Sequence, residues 1–98
     1  MSFTEHGRKT LSCGTIVYSY KNCIGGYLIT VKNIDTDKYS GTAGVDVSKE
    51  YLLEIMDRLM ENNITPESSS TFIFDKVHHY FELHPRKAQK AYSPYLYL

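Results

Sequence analysis

Tryptophan is absent from this 98-residue sequence, and cysteine occurs only twice. Two cysteines are too few for the disulfide framework that stabilises many small secreted domains. Cys13 and Cys23 lie in or beside predicted strands, where small thiols are commonly buried. We therefore expect two reduced, structural thiols. Neither is a candidate nucleophile, because no general base can be placed beside it.

Long apolar segments are also absent. No run approaches the roughly 20 apolar residues that a membrane-spanning helix needs. The segment 1–10 contains Glu5, His6 and Arg8 and lacks the apolar stretch of a secretory signal. The sequence thus predicts a cytoplasmic protein with no membrane partner, in which residues 1–10 form a flexible N-terminal segment.

Neither sign of charge is in excess, because 11 basic and 11 acidic residues give a formal net charge of zero. General polyanion binders carry a basic excess, so the composition argues against that class. The charge is nevertheless segregated, since the residues after Pro85 include basic side chains but no acid. A chain of this length is expected to form a single domain over residues 1–98, ending in a basic and aromatic tail over 85–98.

Alternating β-branched and aromatic residues predict three strands. The first two cover 12–20 and 24–32, and the turn between them lies either at Lys21-Asn22 or later, at Gly25-Gly26. A short third strand is predicted at 43–47, after a polar loop. The economical arrangement is a three-stranded antiparallel meander.

Two further elements follow the strands. Segregated apolar and polar faces predict an amphipathic helix over 48–62, with Ser48 as its N-cap. Thr65 and Pro66 resemble the start of a second helix that ends near His84-Pro85. Residues 71–74 also fit a strand, so this last element is a helix or a strand. The predicted fold class is α+β: a meander packed against a helix, then the second element and the aromatic tail.

Four carboxylates recur every three or four residues on the first predicted helix: Glu50, Glu54, Asp57 and Glu61. Like charges at this spacing destabilise a helix by about 0.2–0.5 kcal/mol per pair, and a basic partner would reverse that cost. One interpretation is the solvated face of an amphipathic helix. The other is a negative surface that binds a basic protein or imitates nucleic-acid phosphates.

The segment 78–84 contains residue types that bind metals or transfer protons near neutral pH. On a helix, His78 and His79 can each approach Glu82, and these three residues are the candidate metal ligands. The spacing lacks the two-histidine i, i+4 arrangement of a zinc protease, so solvated or salt-paired histidines are the simpler interpretation. No cofactor motif and no catalytic set is recognisable in the sequence.

The C-terminal tail supports two interpretations. Tyr95 and Tyr97 either dock against the fold in an extended segment or act as aromatic anchors on a protein partner. Alternatively, the tail binds nucleic acid, with cations on phosphates and an aromatic ring stacked on a base. The residues for that role are Arg86, Lys87, Lys90 and Tyr92.

Together these features predict a small, non-enzymatic intracellular binding protein that regulates or inhibits a larger macromolecule. Small inhibitors, antidotes to toxins and phage host-takeover factors share the short chain, the lack of a cofactor motif and the charged face; this is an argument by association. The predicted contact uses the four helix carboxylates with Tyr95 and Tyr97, against a basic partner surface. The alternatives are a nucleic-acid-binding module that uses the tail, and a small enzyme or metal-binding protein that uses residues 78–84. A homodimer that pairs acidic helix with basic tail is also permitted.

Overall fold

The computed structural model describes residues 2–85. The elements in chain order are β1 (Thr4–Leu11), β2 (Gly14–Cys23), β3 (Gly26–Asn33), β4 (Lys38–Val45), α1 (Lys49–Glu61) and α2 (Pro66–Leu83). The strands form one antiparallel sheet in the order β1-β2-β3-β4, so each strand pairs with its neighbour in sequence. The α+β class is as predicted. The predicted aromatic tail lies outside the described residues.

The prediction of three strands is one strand short, because residues 4–11 form β1 instead of a flexible segment. β1 pairs with β2 through its backbone, with an irregularity between Glu5 and Gly7. An edge strand needs few apolar side chains, since backbone hydrogen bonds hold it in the sheet. Lys9 adds a further link, because its Nζ donates to the Met60 carbonyl at 2.9 Å and to Asn63 Oδ1 at 2.7 Å. The polar segment 4–11 is therefore a well-paired strand although its sequence has no strand-like apolar pattern.

The two central strands provide one side of the core. Ile16 and Tyr18 of β2 and Ile29 and Val31 of β3 are fully buried beneath the helices, at the alternate positions that a strand presents to one face. The helices complete this core with Leu52, Ile55, Met56, Leu59, Ile73 and Val77. Fully burying such an aliphatic side chain contributes about 1.5–3 kcal/mol, so this single core stabilises the domain.

The connections and cysteines differ in part from expectation. β2 turns into β3 at Ile24-Gly25, close to the later of the two predicted turns. Gly25 has a φ of 86°, which a residue with a side chain rarely adopts. Cys13 and Cys23 are both free and both exposed, so the expected burial is wrong. The reason is their position at the two ends of β2: Cys13 lies in the turn before this strand, and Cys23 is its last residue.

Both predicted helices are present. Ser48 caps α1, because its hydroxyl accepts a hydrogen bond from the backbone N–H of Tyr51 at 3.2 Å. α2 is a helix throughout, which excludes the strand alternative for residues 71–74, although Thr65 makes no capping hydrogen bond with its side chain. α1 packs over β1 and β2 while α2 packs over β3 and β4. Within residues 2–85, the opposite face of the sheet is left without a covering element. No helix in this range is long and apolar enough to cross a membrane.

Candidate functional site

The four carboxylates predicted on the first helix all lie on the exposed side of α1: Glu50, Glu54, Asp57 and Glu61. We call these residues the acidic stripe. The opposite side of α1 is buried against the sheet through Leu52, Ile55, Met56 and Leu59. The 3.6-residue period separates the two sets, so that the carboxylates form a continuous row facing solvent.

Arg58 lies within the acidic stripe and contacts two of its members. Its Nη2 is 3.6 Å from Oε2 of Glu54, and its Nη1 is 2.9 Å from Oε1 of Glu61. Exposed pairs of this kind are worth about 0–1 kcal/mol, because solvent screens them. Arg58 therefore relieves part of the like-charge repulsion expected from the sequence. Its single positive charge still leaves the row of four carboxylates negative.

Asp57 is tied to the edge of the sheet. Its Oδ1 lies 2.7 Å from Nε2 of His6 on β1. Sequence reasoning missed this contact, because it placed His6 in a flexible segment and the two residues are far apart in the chain. Among the ion pairs of the described part of the chain, none involves Glu50. Glu50 is thus the member of the stripe that is most open to an external cation.

An aromatic cluster of Tyr51, Tyr80 and His84 borders the acidic stripe where α1 meets α2. The Tyr51 and Tyr80 ring centroids are 4.6 Å apart, and those of Tyr80 and His84 are 4.7 Å apart. Tyr51 donates its hydroxyl to the Lys76 carbonyl at 2.9 Å. The Tyr80 hydroxyl oxygen accepts from the Ser48 backbone N–H at 3.3 Å. These hydrogen bonds fix the two tyrosine rings between the helices.

Burial raises the pKa of Tyr51, and the nearby carboxylates of Glu54 and Asp75 raise it further. Tyr51 is therefore a neutral hydroxyl at physiological pH, where it can keep donating to the Lys76 carbonyl. Sequence reasoning did not single out this cluster. The signal available was the four-residue spacing of Tyr80 and His84, which places two rings on one side of a helix.

Two shallow cavities bring the acidic stripe and the aromatic cluster together. The first, of about 370 Å³, lies between α1 and α2; its lining includes Tyr51, Glu54 and His84 and also the cations Arg58 and Lys76. The second, of about 400 Å³, includes Glu50, Glu54 and Tyr80. Among the described residues, the second cavity has two carboxylates beside aromatic rings and no lysine or arginine in its lining. It therefore suits a lysine or arginine side chain of a partner, which gains an ion pair and a cation–π contact in the same place.

The candidate metal ligands on α2 also approach one another. His78 Nε2 is 3.3 Å from Oε2 of Glu82, and His79 Nδ1 is 3.8 Å from Oε1 of the same carboxylate. All three side chains are largely exposed. Within residues 2–85, no group of three or more His, Cys, Asp or Glu side chains is arranged to hold a metal ion. The observed distances favour salt-paired histidines on a solvated helix face.

The remaining predicted site residues lie outside the described part of the chain, and their roles stay predictions: Arg86, Lys87, Lys90, Tyr92, Tyr95 and Tyr97. The described surface that combines charge with fixed aromatic rings is therefore the one on α1 and α2. Comparisons of the chain with protein-family models, with curated proteins and with solved structures find no match.

Proposed function

We propose that this protein is a small, non-enzymatic regulator or inhibitor that binds a basic surface of a larger protein through the acidic stripe. The main supporting observation is the row of four exposed carboxylates on α1, of which, within residues 2–85, only Glu54 and Glu61 contact an arginine, Arg58. Like charges in such a row weaken an isolated helix. A cationic partner surface removes that repulsion, so binding of the partner also stabilises α1.

The acidic stripe and the aromatic cluster contribute in different ways. Exposed carboxylates attract a basic surface over about 8–10 Å at physiological salt, which speeds association. Short-range specificity needs rigid groups that lose little freedom on contact. Tyr51 and Tyr80 meet this requirement, because both hydroxyls are already hydrogen-bonded between the helices. The partner chemistry expected at this surface is a lysine or arginine flanked by apolar atoms.

A charge-matched pair of variants tests this proposal. The first variant neutralises the acidic stripe with Glu50→Gln, Glu54→Gln, Asp57→Asn and Glu61→Gln. The control removes the same number of negative charges from exposed acids elsewhere with Glu5→Gln, Asp37→Asn, Glu67→Gln and Glu82→Gln. We expect wild type and control to retain a common protein partner in affinity capture from lysate, and the stripe variant to lose it.

Retained partners should elute at moderate salt, since exposed charge contacts are screened. Thermal melts of all three proteins verify that each is folded before capture. If all three proteins retain the same partners with the same salt profile, the acidic stripe is only a solvated face. If the partner captured is a nucleic acid, binding depends on cations and the proposal is also wrong.

A further inference from the structure

The sheet face opposite the helices contains an open depression of about 520 Å³. We call it the outer groove. Its floor is formed by short side chains, those of Ser19 and Thr30 together with Gly41, and its lining includes Phe3, Ile34 and Tyr39. The last three are 41%, 44% and 70% exposed. The outer groove is therefore a surface of small residues beside larger, solvent-exposed apolar ones.

Apolar side chains are unexpected on this face. An antiparallel sheet covered on one side ordinarily presents polar residues on the other, where water solvates them. Here Val17 of β2 and Leu28 of β3 also line the outer groove, together with the exposed apolar residues just described. Contiguous exposed apolar surface of this kind marks interaction sites on soluble proteins. The outer groove has the character of a surface that another molecule covers.

Gly41 gives a second, independent indication. It lies inside β4, where glycine weakens a strand, yet its φ is outside the positive range that requires glycine. A Cβ atom built at this position would come no closer than 3.6 Å to Leu28 and 3.9 Å to Thr30, which is ordinary contact. Neither backbone conformation nor internal packing explains the missing side chain. Close approach by an occupant of the outer groove does explain it.

The charges in the outer groove indicate the chemistry of the occupant. Among the described residues that line it, the charged ones are Arg8 and Lys32, and both are cations. Each contacts a neighbouring carboxylate, Arg8 with Glu5 at 2.8 Å and Lys32 with Asp37 at 3.2 Å. Solvent screens exposed pairs of this kind, so an incoming carboxylate can exchange with Glu5 or Asp37 at little cost. An apolar occupant that carries acidic groups is complementary to this surface.

The dimensions favour a helix. Four strands at about 4.8 Å spacing span about 14 Å, which is close to the 10–12 Å diameter of an α-helix with its side chains. The outer groove is open to solvent, whereas small-molecule sites bury about 70–90% of their ligand. A helix that belongs to a folded partner need not be enclosed by the outer groove, because the partner covers the other side of the helix.

We propose that the outer groove binds an amphipathic helix of a partner protein, with its apolar stripe on the groove floor and flanking Asp or Glu residues paired with Arg8 and Lys32. This contact lies on the opposite side of the sheet from the acidic stripe and does not depend on the function proposed above. A protein with both surfaces has the means to hold one partner helix while it binds a basic surface on its other side.

The test is a display selection with a library of amphipathic helices of about 18 residues, or ~27 Å, with a fixed leucine stripe and randomised flanking positions. We expect wild-type protein to enrich helices with Asp and Glu flanks. The variant that combines Arg8→Glu with Lys32→Glu should instead enrich Lys and Arg flanks. Neutralising the acidic stripe should leave the selection unchanged, which separates this inference from the proposed function.

Gly41→Leu places a side chain on the floor of the outer groove without disturbing the core, and should weaken a selected helix by about tenfold or more in fluorescence anisotropy. Ser68→Leu is the control, because it adds an exposed leucine on α2, on the helix side of the sheet and outside the groove lining. It should bind like wild type. Both variants should melt within a few degrees of wild type, since neither position is buried.

Several outcomes would overturn the inference. If wild-type protein enriches acidic and basic flanks equally, Arg8 and Lys32 do not select the partner helix. If Gly41→Leu binds a selected helix as tightly as wild type, the helix does not bind in the outer groove. A wild-type dimer in sedimentation velocity that Gly41→Leu dissociates would identify a second copy as the occupant. If dodecanoate, a simple apolar anion, binds more tightly than any selected helix and loses binding in Gly41→Leu, the outer groove is a small-ligand site.

Discussion

At the scale of single residues, Tyr18 connects the sheet to the loop between the helices. The side chain is fully buried, and its hydroxyl donates to the Ile64 carbonyl at 2.7 Å. The Ile64 carbonyl is partly buried, and a carbonyl that folding removes from water is costly to leave without a donor. Tyr18 thus supplies apolar area to the core and also satisfies a backbone group of the chain that joins α1 to α2.

Replacing this residue with phenylalanine removes the hydroxyl and keeps the ring. We expect Tyr18→Phe to lower the free energy of unfolding by about 1–3 kcal/mol, because the Ile64 carbonyl loses its donor. Urea unfolding at neutral pH measures the difference. Tyr39→Phe is the control, since Tyr39 is 70% exposed and should change stability little. Equal stability of wild type and Tyr18→Phe would show that water replaces the lost hydrogen bond.

Individual contacts of the candidate site were only partly predictable from sequence. The helical period places Glu50, Glu54, Asp57 and Glu61 on one exposed face, and the structure places them there. The contact between Asp57 and His6 was not predictable, because it depends on a strand that the polar sequence conceals. Contacts between residues far apart in the chain depend on the fold, so they cannot be predicted from the local spacing of residues in the sequence.

At the scale of elements, the two helices differ in how they begin. Ser48 accepts a hydrogen bond from the third residue of α1, whereas Thr65 makes no such bond to α2. Pro66 partly compensates at α2, since it occupies a first-turn position whose N–H would have no partner within the helix. The start of α1, which carries Glu50, therefore depends more on its cap.

The same substitution at both positions tests this difference. Ser48→Ala should destabilise the protein by about 1 kcal/mol, the usual cost of a lost N-cap. Thr65→Ala should destabilise the protein less, because it removes no capping hydrogen bond and only an exposed one to the Glu67 side chain. Paired thermal or urea unfolding of the two variants gives the comparison. A larger loss in Thr65→Ala than in Ser48→Ala would contradict it.

The helices and the two central strands were predicted nearly in place. The third predicted strand, 43–47, was placed too late, since β4 covers Lys38–Val45, and β1 was not predicted at all. Both helices follow from apolar spacing, caps and Pro66, within a residue or two at their ends. β1 was missed because its polar residues show no alternation. The outer groove was missed for a related reason, since Val17, Leu28 and Ile34 belong to different segments. Residues from different segments reach one face only through strand pairing. For example, Val17 of β2 lies opposite Lys32 of β3, which in turn lies opposite Tyr39 of β4.

At the scale of the whole molecule, alkaline pH should destabilise the protein through its buried phenol. Burial raises the pKa of Tyr18 to about 12, whereas an unfolded tyrosine titrates near 10. Between these values the unfolded chain releases a proton that the folded chain retains, so stability is intact below pH 10 and falls as pH rises through 12. The loss approaches roughly 2–3 kcal/mol by linkage.

Urea unfolding at a series of pH values from 8 to 12 measures this loss. Tyr18→Phe should show a clearly shallower fall, with a residual slope from Tyr51, whose pKa burial also raises. If wild type and Tyr18→Phe lose stability in parallel over this range, another group controls the alkaline transition.

The order of the elements also affects how the protein is made. Within residues 2–85 the four strands precede the two helices, so a ribosome releases this meander before the helices that cover it. At about 5–20 residues per second, synthesis from Val45 to Val77 takes on the order of a few seconds. During that interval the inner face has no helices over it, and the outer groove is open as well. We expect the nascent sheet to bind chaperones through its exposed inner face. A truncated chain that ends after β4 should aggregate under conditions in which the longer chain does not.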